Sequence, residues 1–381
     1  MLRIQNARHA IIICALGALS ESLFYTALAP LLPSLDRQLG LGHAMAGILV
    51  AGYAIGYIFG TYPAIRLVTL RGPRATAVIG VMCVAFATAI FAVGDQLEIL
   101  IAARILVGFG SVIAYTGVIA AASSIAGDQN RGLAIGTVYS GSAAGAAVGP
   151  LVGAAAEAAG RGPIFGIVAI GQLAVAGLLT QLPHVPAAKP VNVRETYRYL
   201  RYRRVWVGVW VTSIPGFALG VLVLSGSYRL SEIGATSLAI ALAFSGIAVI
   251  NVVANPTIGR LSDRIGRQMP ILLALISAAV AVILMTLAAL EVPTIILIAL
   301  TGALLMTIGG PGLALIGDEI TAHGGSTIQA TLLMNTAWGP SAALGAILAG
   351  LFHGAVGAEL SFAVLAAVAL GSAFAVHRFA R

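Results

Sequence analysis

Twelve runs of about twenty mostly apolar residues follow one another along this chain. They fall at about 11–32, 44–65, 75–94, 97–126, 132–157, 163–182, 205–227, 236–258, 269–290, 293–316, 327–351 and 358–377. Each is near or above the ~20 residues that carry an α-helix across a bilayer. A membrane β-barrel would instead alternate over ~10-residue segments. Composition agrees, with 9% charged residues and a mean hydropathy of +1.01, where a soluble domain carries roughly 25% charge. The expected fold class is an all-α polytopic membrane protein with twelve transmembrane helices. Arg3 and Arg8 ahead of the first run have a signal-peptide flavour. That run is longer than a usual signal core, so it is read as a retained helix. Cys14 and Cys83 both fall inside apolar runs, which indicates small buried residues and no disulfide framework.

The basic residues set the orientation. With a cytoplasmic N-terminus, the even-numbered connections and the two termini hold 17 of the 21 basic residues. They include Arg3, Arg66, Arg71, Arg74, Arg131, Lys189, Arg194, Arg260, Arg264, Arg267 and Arg381. Arg37, Arg161 and Arg229 fall on the other side, and Arg104 lies within a run. Such asymmetry predicts that both termini are cytoplasmic. It also accounts for the net charge of +8 without nucleic acid as a partner.

An internal repeat divides the chain. Gly127-Asp128 and Gly149-Pro150 recur 190 residues later as Gly317-Asp318 and Gly339-Pro340. Arg66 and Gly72 match Arg260 and Gly266 at an offset of 194. The longest connection, 183–204, contains Pro183, Pro186 and Pro190 and ends in arginines suited to anionic headgroups. The expected domains are therefore a six-helix bundle over 1–182, a cytoplasmic linker over 183–204 and a second bundle over 205–381. Two six-helix repeats in one orientation suggest a transporter with its site between the halves.

Three stretches carry a family resemblance. The segment 259–268 reads Gly-Arg-Leu-Ser-Asp-Arg-Ile-Gly-Arg-Gln. It resembles the loop signature of the major facilitator superfamily, G-x-x-x-D-R-x-G-R followed by Arg or Lys, found after the second helix of a half. The first-half copy is degraded: Ile65, Thr69 and Pro73 stand where the second half has Gly259, Asp263 and Arg267. The segment 141–153, with Gly149-Pro150, is similar to the glycine-proline motif of the family's proton-driven exporters. Its Gly141, Gly145 and Gly149 form a stripe without side chains, which admits a neighbouring helix closely. Pro150 adds a bend. Ordinary tight packing is the alternative reading of the stripe. Arg104 and Gly108 resemble the family's R-x-x-x-G element, linked there to proton transfer. Ala29-Pro-Leu-Leu-Pro33 fits the twelve-helix drug and metabolite exporters.

One acid lies deep in a run. Glu21 is ten residues into the first run, about 15 Å deep at 1.5 Å per residue. A carboxyl there is a candidate proton carrier, a contact for a cationic or hydroxyl-bearing substrate, or a permanently protonated group bonded to a neighbouring helix. The resemblance implies that the first and fourth helices line a cavity. Arg104 would then tune Glu21 or hold its anion, with a structural ion pair or bonding to backbone carbonyls as the alternative. Tyr25 shares a helix face with Glu21, and Tyr53 shares one with Tyr57. Together with Tyr115, Asn335 and Trp338 they are the candidate substrate contacts, since aromatic and few polar groups suit a moderately apolar organic ligand. The resemblance also makes Asp263, Arg264, Gly259 and Arg267, with Gly149 and Pro150, the candidate conformational gate. Asp263 is expected near the start of the fifth helix, by Asp128 and Arg131.

The six histidines lie at run ends or in connections without metal-ligand spacing, and no phosphate-binding glycine-lysine loop appears. Neither an enzyme nor a cofactor is expected. The reading is a multi-pass transporter of the inner (plasma) membrane, a monomer, exporting a small organic compound by proton antiport and alternating access. A sugar or other metabolite transporter of the same fold is the alternative. A non-transporting sensor or scaffold is the alternative of another class.

Overall fold

The computed structural model describes residues 7–185, 193–325 and 327–379. Arg3, Lys189, Arg381 and the side chain of Asp128 lie outside the described residues. Every element among the described residues is helical, as expected for chains whose amides must be satisfied within lipid. Among the described residues, ten helical stretches are long and apolar enough to cross a membrane. The chain forms two compact units: Met1–Ser34 with Gly52–Pro190, and Leu35–Ala51 with Val191–Arg381.

Unit 1 is built from α1 (Ala7–Leu39), α2 (Gly42–Val93), α3 (Leu97–Ala159) and α4 (Arg161–Leu179), except for residues 35–51. The expected runs 44–65 and 75–94 are continuous within α2, and 97–126 and 132–157 within α3. Helical geometry breaks in α2 at Gly72 (φ +79°, ψ 167°) and in α3 at Gly127 (φ +65°, ψ −179°). Such angles are open to glycine and costly for other residues. The packing register shows what each break does. Gly52, Gly56 and Gly60 face Ile101, Ile105 and Phe109 in turn, so the first arm of α2 runs parallel to the start of α3. Gly80 faces Ala114 and Gly117 faces Ala77, so the second arm runs the opposite way. By the same test the second arm of α3 runs parallel to α1: Gly141, Gly145, Gly149 and Gly153 lie on the backbone of Ala15, Leu19, Leu23 and Ala27. Cys14, Ala18, Val81, Val118 and Leu179 fill the core between these helices, with Cys14 a free thiol.

Unit 2 opens with α5 (Val193–Tyr197) and a 3-10 turn, Arg198–Arg201. α6 (Arg203–Val221) continues through a π-helical turn, Leu222–Gly226, into α7 (Ser227–Glu232). Then come α8 (Ser237–Ile265), α9 (Gln268–Leu287), α10 (Glu291–Thr307), α11 (Gly309–Ala322), α12 (Thr327–Val356) and α13 (Ala358–Phe379). The run expected over 293–316 is divided between α10 and α11 at Ile308. Two glycines and Pro311 follow that break, two weak helix formers and one residue without an amide hydrogen. Gly266 ends α8 at φ +90°, ψ 157°. Its repeat partner Gly72 has nearly the same angles, so this pair survives in both halves because the turn needs a positive φ.

Residues 35–51 are held within unit 2 by polar and close backbone contacts. The Tyr228 hydroxyl donates to Asp36 Oδ2 at 2.7 Å, and the Gly42 amide donates to Asp36 Oδ1 at 2.8 Å. His43 stacks on His353 at 4.6 Å, and His353 Nε2 lies 2.9 Å from Glu232 Oε1. Gly47 meets the backbone of Ala346 and Gly350.

Candidate functional site

The polar centre of unit 1 starts at Glu21. The α1 side chain is 4% exposed. Its Oε1 accepts a hydrogen bond from the Ser22 hydroxyl at 2.6 Å, and Ser22 Oγ lies 2.5 Å from Ser142 Oγ on α3. The buried Ser111 hydroxyl faces the carboxyl without closing a hydrogen bond of its own. A carboxyl and three hydroxyls are thus gathered from α1 and both arms of α3. Hydroxyls both donate and accept, so this group can solvate either protonation state of the acid.

Arg104, 1% exposed on α3, does not pair with Glu21; among the described residues no ion pair joins the two. Its Nη1 donates to the Phe24 carbonyl at 3.3 Å. The guanidinium sits 5.6 Å from the Phe24 ring and 5.5 Å from the Tyr53 ring, within the range of cation–π attraction. Phe24 is itself fixed against Phe91 and Phe165, at 5.0 and 5.1 Å. The backbone-carbonyl alternative for Arg104 therefore describes this structure, with Nε still lacking a partner.

The tyrosines line the same centre. Tyr25 and Tyr53 lie 4.3 Å apart, Tyr53 and Tyr57 6.2 Å, and Tyr115 and Tyr139 6.0 Å. Tyr53, Tyr57 and Tyr115 all lie within electrostatic reach of Glu21. Asn335 and Trp338 are half-buried on α12, in unit 2.

The glycine stripe has a polar complement. Pro150 has no amide hydrogen, so the carbonyl four residues earlier, Ala146, loses its helical donor. The Thr26 hydroxyl of α1 donates to that carbonyl at 3.1 Å. Thr26 also touches Gly149, whose missing side chain makes room for it. The proline defect is thus satisfied from the neighbouring helix.

The charged turn of unit 2 closes on itself. Gly266 ends α8, and Arg267 folds back to bond Asp263 while its Nε reaches Asp318 Oδ2 at 3.4 Å. Partial burial lowers the Arg267 pKa, but the two carboxylates outweigh it and raise the guanidinium above its ordinary value. Arg264 is exposed, and a side chain at Gly259 would meet open space. Of the two residues expected beside Asp263, Asp128 has its side chain outside the described residues and Arg131 belongs to unit 1.

Sequence reasoning missed Ser22, Ser111, Ser142 and Thr26. Two had a legible signal. Ser22 adjoins the buried acid, and Ser142 adjoins the first glycine of the stripe, where a facing helix must come close.

A sequence model of the Major Facilitator Superfamily matches residues 14–328. No curated protein matches the chain. Among solved structures, the chain is similar to a bacterial homolog of the human lysosomal transporter Spinster, inward-facing and unoccupied. That match has 13% identity and a TM-score of 0.79, covering 98% of this chain and 97% of the other. It is also similar to a D-xylose–proton symporter (15% identity, TM-score 0.81, 98% of each chain). A nucleoside transporter matches at 15% identity and TM-score 0.79, over 99% of this chain and 100% of that one.

Proposed function

Because the chain belongs to the Major Facilitator Superfamily, a family of membrane transporters rather than enzymes, we propose that it is a proton-coupled secondary transporter that exports a small organic compound by alternating access. The single observation that carries the reading is Glu21, buried at 4% exposure in a nest of hydroxyls and free of any ion pair with Arg104. An acid in such surroundings gains or loses a proton as water reaches it from one side or the other. Arg104 acts on it at a distance, by holding α1 at Phe24 and supplying positive potential behind Tyr53.

In this reading each arm of α2 and α3 is one crossing, which gives twelve helices. Both termini are cytoplasmic, and the membrane is the inner (plasma) membrane. The bundles 1–182 and 205–381, joined by the linker 183–204, are the moving bodies of a monomer. Tyr25, Tyr53, Tyr57 and Tyr115, with Asn335 and Trp338, contact the substrate. The turn of Asp263, Arg264 and Arg267 acts as the gate. Support for export comes from the Gly149-Pro150 seam, which resembles the exporter motif. A sugar or other metabolite is the rival substrate class.

The test is purified protein in liposomes with an imposed pH gradient, screened against organic cations, neutral drugs, sugars and nucleosides. Substrate-driven proton flux is expected for one class and is lost in Glu21→Gln while substrate binding persists. Undiminished coupling in Glu21→Gln sinks the proton-carrier role.

A further inference from the structure

At the arginine-rich start of α6, unit 2 carries a groove that belongs to neither the polar centre nor the charged turn. Its volume is about 560 Å³, and its walls come from α6 and α13: Trp206 and Trp210 on one side, Ala375 and Val376 on the other, with Arg201 and Arg203 at one end. Arg203, Trp206 and Trp210 recur at i, i+3 and i+7, so they share one face of α6 and span about 10 Å along it. The two indoles stack nearly parallel, 6.1 Å apart and inclined by 10°. They remain 56% and 42% exposed.

Hydrogen bonds between its walls hold the groove in shape. The Trp210 indole N–H donates to Ser372 Oγ at 3.0 Å, and Arg203 Nη2 donates to the Arg378 carbonyl at 3.2 Å. Both bonds cross between α6 and α13. Arg201 donates to the Tyr202 hydroxyl at 2.7 Å and lies over that ring. This contact orients the guanidinium, and among the described residues no carboxylate pairs with Arg201.

We propose that this groove is a specific site for one anionic phospholipid, its phosphate held by Arg201 and Arg203 and an acyl chain lying along Trp206 and Trp210. The exposed indoles belong to the wider apolar surface of the unit, on which Leu370 and Phe374 of α13 are also exposed, a surface whose neighbour in a membrane is lipid. What distinguishes the groove from that surface is the pair of guanidinium groups at one end, since guanidinium matches phosphate in charge and geometry. Indoles beside such a headgroup sit at the depth where tryptophan is favoured.

The chain has three tryptophans, which permits a direct test. In a Trp338→Phe background, Trp206 and Trp210 report alone. The protein is placed in bilayers containing phosphatidylglycerol or phosphatidylcholine, with acyl chains brominated in one lipid at a time. Quenching is expected to favour the anionic lipid roughly fivefold for each arginine engaged. The preference falls to about one in Arg201→Gln/Arg203→Gln and is largely kept in Arg201→Lys/Arg203→Lys. In the unsubstituted arginine background it also falls as salt rises, a measurement that stands even if the glutamine variant fails to fold. Equal quenching by both headgroups overturns the proposal, as does a preference insensitive to both salt and the arginines.

Discussion

Unit 1 and unit 2 each bring two parallel helices closer than ordinary side chains allow, and they do so from opposite sides of the seam. In unit 1 the glycines lie on α3, at 141, 145, 149 and 153, against the backbone of α1. In unit 2 most lie on the earlier helix: Gly216 and Gly220 of α6 face the backbone of Trp338 and Ala342, and Gly345 is the reciprocal contact from α12. The helix that gives up its side chains frees its neighbour to keep them. Thus α1 carries Glu21, Ser22, Tyr25 and Thr26, while α12 carries Asn335 and Trp338. The asymmetry in chemistry between the halves follows the asymmetry in where the glycines were placed.

The strongest way to break this comparison is to fill a seam. Gly145→Leu drives a side chain into the Leu19 carbonyl, and about 3 kcal/mol or more of stability is expected to go. Gly220→Leu does the same against Ala342. Gly136→Leu is the control, since nothing lies within 4 Å of its added carbon. Thermal unfolding in detergent ranks the three, and equal losses at 136 and 145 would dispose of the seam argument. Next in size is Thr26→Val, which leaves the Ala146 carbonyl without a donor. It is expected to destabilise by about 1–3 kcal/mol, with Thr26→Ser close to the parent. Similar stability for the valine and serine variants would mean that the proline defect needs no help.

Tyr228→Phe removes the bond to Asp36 and should cost about 1 kcal/mol. Hydrogen exchange is the readout: residues 43–51 exchange faster while α3 is unchanged. The smallest expected effect is at Asp318→Asn. Asp263 and Asp318 are both 65% exposed around Arg267, so the loss stays below about 1 kcal/mol and shrinks in salt. Asp263→Asn sharpens the point, because its expected consequence is reduced transport with little change in stability. Full transport in that variant removes the turn from the gate.

Much of the fold was legible because its cause is local. Apolar runs of bilayer length and the spacing of glycines are properties of contiguous sequence. Glu21 was legible for the same reason, as an acid in the middle of a run. Partner choice was not. The sequence leaves Arg104 open between tuning Glu21, pairing with it and bonding backbone carbonyls, and only the structure shows it on the Phe24 carbonyl and two aromatic faces. Residues 35–51 begin in the first half of the sequence but pack with the second unit, through Asp36, His43 and Gly47. Nothing in their own composition distinguishes them from the residues on either side.

The sequence by itself determined that this chain is a helical membrane protein whose motifs recur at offsets of 190 and 194 residues, with an intact charged turn at 259–268 and a decayed copy at 65–74. These follow from the energetics of burying single segments in lipid, which needs no knowledge of neighbours. Only the tertiary structure decided that Ser142 completes the hydroxyl group around Glu21, that Thr26 repairs the carbonyl freed by Pro150, and that Arg201 and Arg203 stand over a groove walled by α6 and α13. Hydrogen bonds and close packing act over a few ångströms between residues more than a hundred apart in the chain, so they exist only once the helices have met.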